Sequence, residues 1–154
     1  MSIFNPADFM NVTIEEANST QRLLVPEGEY LAVAEKVECR PWTSKADPTK
    51  SGVTLEITWS IQDPNILAQM DLPSVKLRQG VMLDFNDNGA LDMGKGKNVG
   101  LGRLRAALDL NKPGVVFRFP DIVGKLAKVM VKHEVDKNDP EKVYDRVVAA
   151  APNA

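Results

Sequence analysis

Residues 54–61 read TLEITWSI, in which Leu55, Ile57, Trp59 and Ile61 alternate with Thr54, Glu56, Thr58 and Ser60. Successive side chains of a strand point to opposite faces, so this period of two predicts a strand with one face in a core and the other in water. Antiparallel sheets write that pattern most clearly. It recurs along the chain. EYLAVAEKVE (29–38) sets Leu31, Val33 and Val37 against Tyr30, Lys36 and Glu38, and VKLRQGVMLDF (75–85) turns Val75, Leu77, Val81, Leu83 and Phe85 inward. Gly80, in mid-strand, predicts a bulge or bend. KLAKVMVKHEV (125–135) places Ala127, Val129 and Val131 on one face, and VYDRVV (143–148) gives a last short strand.

Between the third and fourth strands the period changes. In NVGLGRLRAALDL (98–110), Leu101, Leu104 and Leu108 recur at helical steps, with Asn98 placed to cap the first turn and Asn111-Lys112-Pro113-Gly114 to stop the helix. Strand, strand, strand, helix, strand, strand is the order of an OB-fold, a five-stranded partly open barrel. The expected class is therefore mainly β: an OB-fold-like barrel over residues 26–150, with one helix between strands 3 and 4. A mixed α+β roll is the competing architecture. Residues 1–25, whose apolar Phe4, Phe9, Met10, Val12 and Ile14 fit neither period, read as an arm lying across the domain or onto a neighbouring subunit. Residues 151–154 form a short tail.

Composition narrows the function classes. With 154 residues, 44% hydrophobic and 26% charged, the chain suits one soluble domain, and no apolar run is long enough to span a bilayer. MSIFNPADFMNVTIEE has acids early and no basic stretch, so no secretory leader is expected. A single cysteine, Cys39, forms no internal disulfide and fits a reducing cytoplasm. One cysteine and one histidine, His133, make a poor metal site. Asp84, Asp87 and Asp92 are acids at irregular loop spacing rather than a metal-binding motif. No nucleophile–base arrangement stands out, and the expectation is a protein with no enzymatic activity, metal or cofactor.

The stretch GALDMGKGKNVGLGRLR (89–105) tests that expectation. A P-loop requires G-x-x-x-x-G-K-[ST], and Gly96 stands where its hydroxyl should be. The dinucleotide fingerprint fails at Val99. What remains is a glycine-lysine loop before a helix start, with Lys95 and Lys97 where backbone N–H groups also favour an anion.

PEGEY (26–30), TKSGVTLEITWSI, VMLDF, DMGKGKNVGLGRLRAALDL and GKLAKVMVKHEVDKNDPEKVYDRV, with FNPADFMN and NST in the arm, together resemble a group of small tailed-phage proteins. These are regarded as OB-fold single-stranded DNA-binding proteins. The resemblance spans nearly the whole chain and is most distinctive at KGKNVGLGRLRAAL. It implies a sequence-tolerant single-stranded DNA-binding protein of phage replication or recombination, working in the host cytoplasm without a membrane. Replication or recombination proteins and a second copy of the chain are its candidate partners. The ending AAAPNA departs from the acidic tail with which many such proteins recruit partners.

Binding of this kind uses cations along the phosphates and aromatic faces for the bases. The first connection, CRPWTSKADPTKSG (39–52), offers Arg40, Trp42, Lys45 and Lys50 in a loop that an OB-fold turns toward its ligand. Trp59, in phase with Leu55 and Ile57, is expected in the core. Lys76 and Arg78 share the outward face of the third strand, Lys128 and Lys132 that of the fourth, and Tyr144 and Arg146 that of the fifth. Lys95, Lys97 and Arg103 complete the set around the helix. Phe117 and Phe119 read as core, and His133 as a satisfied polar residue. A virion or assembly protein, oligomerising through its arm, is the alternative.

Overall fold

The computed structural model describes residues 4–20 and 22–153; the rest of the expected arm and tail lies outside them. Strands β1 (Gly28–Thr43), β2 (Ser51–Ile61), β3 (Lys76–Leu83), β4 (Leu126–Val135) and β5 (Val143–Ala151) form one antiparallel sheet in the order β3-β2-β1-β4-β5. The sheet is open, since no hydrogen-bonded ladder joins β3 to β5 among the described residues. These two edges nevertheless face each other, residues 79–82 lining one side of a cleft and residues 148–150 the other. Helices α1 (Pro6–Phe9), α2 (Pro64–Met70) and α3 (Val99–Ala107) complete the fold with a single 3-10 turn at Phe119–Ile122. No helix among the described residues is long and apolar enough to cross a membrane.

The core follows the alternation. Leu55, Ile57 and Trp59 of β2 are fully buried, as are Ala127, Val129 and Val131 of β4, while Val75, Leu77, Val81 and Leu83 are buried beside and along β3. Each large aliphatic side chain so removed from water contributes roughly 1.5–3 kcal/mol. The indole Nε1 of Trp59 would be a costly orphan there, but it donates to Gln79 Oε1 at 2.9 Å. Leu101, Leu104 and Leu108 fix α3 to the same core. Gly100 lets the helix approach β3 closely: a Cβ there would lie 3.3 Å from Val81 Cγ1.

Several expectations are corrected. Alanines 32 and 34, not Leu31 and Val33, are the buried residues of β1, because the β1–β2 register slips between Ala34 and Lys36 and leaves Glu35 extra. Val37 then rejoins the inner face. Gly80 marks no bulge, its register with Glu56 being continuous; the second irregularity lies at Met130/Val131. Phe85 lies beyond β3 and is 43% exposed. Helix α2 is an addition to the expected order of elements: Asp63 accepts from Asn65 N (2.9 Å) and Pro64 occupies its first turn.

Asn98 is not a side-chain cap for α3. It is buried at φ 51°, and its amide ties the end of β3 to the following loop. Asp84 N donates to Asn98 Oδ1 (2.7 Å), and Asn98 Nδ2 donates to the carbonyls of Asp84 and Asp92, both at 2.9 Å. The backbone N–H of Asn98 in turn donates to Asp84 Oδ2 at 2.8 Å.

Candidate nucleic-acid interface

Arg40 and Trp42 do not lie in a loop. They belong to the end of β1, which runs through Pro41 to Thr43 while pairing only with β2; its pairing with β4 stops at Val33. A proline is tolerated where a strand has a free side. Trp42 stands opposite Gly52, and a Cβ on that glycine would come 2.8 Å from the indole ring. One face of the half-buried indole is therefore covered by backbone, and its Nε1 is buried without a hydrogen-bond partner among the described residues. The true turn is shorter. Asp47 shapes it by accepting from Thr49 Oγ1 (2.6 Å), which holds its carboxyl below the ordinary range, and Lys45 and Lys50 project from it exposed.

Lys76 and Arg78 point outward from β3 as expected, yet neither is free of acids. Lys76 pairs with Glu35 (3.0 Å) and Arg78 with Glu56 (3.6 Å). Glu56 also meets Arg40 (3.3 Å), and Lys36 pairs with Glu38. The Lys36 ammonium, by donating to Glu38, lowers the pKa of that carboxyl. The outer face of β1–β3 thus carries an alternating lattice of charge. Exposed pairs of this kind are worth about 0–1 kcal/mol each, so a phosphate competes with a carboxylate for the same cation at modest cost.

The fold gathers part of this set with residues from elsewhere. A cleft of about 650 Å³ between the opposing sheet edges is lined by Lys76 and Arg78 from β3, Tyr144 and Asp145 from β5, Lys36 from β1 and Arg22 from the arm. Arg22 and Lys36 were missed. Their only signal was position, Arg22 lying just before Val25, which anchors the arm by donating its N–H to Asp145 Oδ2 (2.9 Å).

Arg103 lines the grooves on both sides of α3, and Lys97 lies in one of them. Lys95 and Lys97 are exposed in the turn before α3, and with Arg103 they make no ion pair among the described residues. The β4–β5 face forms a second group, which shares Tyr144 with the cleft. Lys128 and Lys132 are exposed, Lys132 stands across from Arg146, and Arg146 pairs with Glu134 at 3.0 Å. Tyr144 OH donates to Asp136 (3.3 Å).

Phe117 and Phe119 are half-buried, edge to face at 5.8 Å, with the Arg105 guanidinium 4.4 Å over the Phe117 ring. His133 is structural: its Nε2 donates to Val25 O (2.6 Å) and its backbone N–H to Glu27 (3.0 Å). No cluster of three or more potential metal ligands occurs among the described residues. Compared with known proteins, the chain matches no family model and no curated sequence.

Proposed function

We propose that the chain is a non-enzymatic, sequence-tolerant single-stranded DNA-binding protein acting in phage DNA replication or recombination, and that its sheet is the partly open barrel of an OB-fold. The strand order, the opposed β3 and β5 edges and α3 between the third and fourth strands support the fold reading. The observation that carries the binding reading is the β3–β5 cleft, whose lining brings Arg22, Lys36, Lys76 and Arg78 together with Tyr144 and, among the described residues, a single carboxylate, Asp145. Cations about an aromatic face are what a single strand needs, the former for phosphates and the latter for a stacked base. A duplex buries its base faces in its own stack and has no use for the tyrosine.

The test is fluorescence anisotropy of a labelled oligo-dT and of a labelled duplex of equal length. The reading requires binding of the single strand in low salt, weakening as salt is raised because condensed counterions are released on binding. Equal affinity for the duplex would contradict it, and so would no binding at low salt.

A further inference from the structure

The first 21 residues contain no lysine or arginine but three acids, Asp8, Glu15 and Glu16. Apolar side chains lie among them, and the fold leaves these uncovered: Phe4, Phe9, Met10, Val12 and Ile14 are 60–82% exposed. The first buried residue among those described is Val25. Phe4, just before the single turn of α1, and Phe9, at its end, are already assembled into a knob, their ring centroids 5.1 Å apart. Asn5 starts that turn by accepting from Ala7 N at 3.0 Å. A preformed knob has less conformational freedom to lose on docking.

The body of the protein carries a matching surface. A groove of about 470 Å³ along α3 is lined by Met93, Val99 and Phe117 with Lys97, Arg103 and Arg105, and no carboxylate among the described residues lines it. Arg105 is held in place by Phe117 and by the Leu110 carbonyl, to which its Nε and Nη2 donate at 3.3 and 3.1 Å. The acidic apolar segment and the basic apolar groove complement each other in charge and in hydrophobicity. Reach is also sufficient. Ten extended residues span roughly 33 Å, about twice the ~15 Å radius of gyration of a domain this size.

We propose that the arm of one copy docks in the α3 groove of a second copy. The Phe4–Phe9 knob packs on Met93, Val99 and Phe117, and Asp8, Glu15 and Glu16 face Lys97 and Arg103. Because the arm and the groove are different surfaces, the contact is head-to-tail and builds rings or open chains rather than an isologous pair.

Sedimentation of the full-length chain at low salt, with no nucleic acid present, tests this independently of any DNA binding. Wild type self-associates with rising concentration. The Phe9→Asp variant and the Lys97→Glu/Arg103→Glu variant each associate more weakly by about tenfold or more, the scale of placing repelling or desolvated charge in an interface. Phe9 touches none of the core, so its substitution leaves folding intact. Reversing the arm (Asp8→Lys/Glu15→Lys/Glu16→Lys) also weakens association, but mixing that chain with the Lys97→Glu/Arg103→Glu chain restores it. A wild type that stays monomeric, its arm free or folded back on its own groove, would overturn the proposal. So would assembly unaffected by the arm and groove substitutions.

Discussion

Replacing Asn98 separates two contributions that meet at one residue. Its side chain makes three hydrogen bonds, to the N–H of Asp84 and to the carbonyls of Asp84 and Asp92. At about 1 kcal/mol net for each, Asn98→Gly costs about 3 kcal/mol, because glycine accepts the left-handed backbone but offers no amide. Asn98→Ala loses the same bonds and must also hold φ 51° with a Cβ, which adds about 1 kcal/mol. The fourth bond, from the Asn98 N–H to Asp84, survives in both variants. In urea, with a slope of about 2 kcal/mol per molar for a domain of this size, the midpoint falls by about 1.5 M for glycine and about 2 M for alanine. If Asn98→Gly unfolds within ~0.5 kcal/mol of wild type, water replaces the amide freely and the claim that it ties β3 to the loop is wrong. If alanine proves no worse than glycine, the left-handed backbone is not what the site demands.

Other outcomes follow from the same geometry. Gln79→Leu strands the indole N–H of Trp59 in the core and costs about 1–3 kcal/mol in urea unfolding, whereas a Trp59→Phe/Gln79→Leu double variant recovers part of that loss. Glu27 has its pKa lowered chiefly by the backbone N–H of His133, with Lys132 and the His133 side chain assisting. A carboxyl depressed on folding stabilises the native state above its unfolded pKa and loses that contribution as pH falls through the folded one. Urea midpoints measured against pH will accordingly fall less steeply on the acid side for Glu27→Gln than for wild type.

The central strands were legible because burial acts on alternate residues. Leu55, Ile57 and Trp59 announce β2, and the Leu101–Leu104–Leu108 spacing announces α3. What escaped depends on partners distant in sequence. The amide of Asn98 looks like a helix cap until Asp84, fourteen residues earlier, is seen to take it. The inward phase of β1 is reset by one extra residue at Glu35, and no residue type marks that slip. Pro41 read as loop, although β1 continues through it where its β4 neighbour has ended. The cationic side chains of β3 were placed on the correct face. Their acidic partners were hidden, because Glu35 and Glu56 come from other strands. So was the cleft, since only the facing of β3 and β5 brings Tyr144 to Lys76.

Whether single strands lie in that cleft is tested most directly by the salt dependence of oligo-dT affinity, in wild type and in a Lys36→Gln/Lys76→Gln/Arg78→Gln variant. For single strands, the logarithmic slope changes by about 0.7 for each phosphate neutralised, so three lost cations should flatten it by about 2 and weaken low-salt binding. Identical slopes and affinities in the two proteins would contradict binding at the β3–β5 cleft.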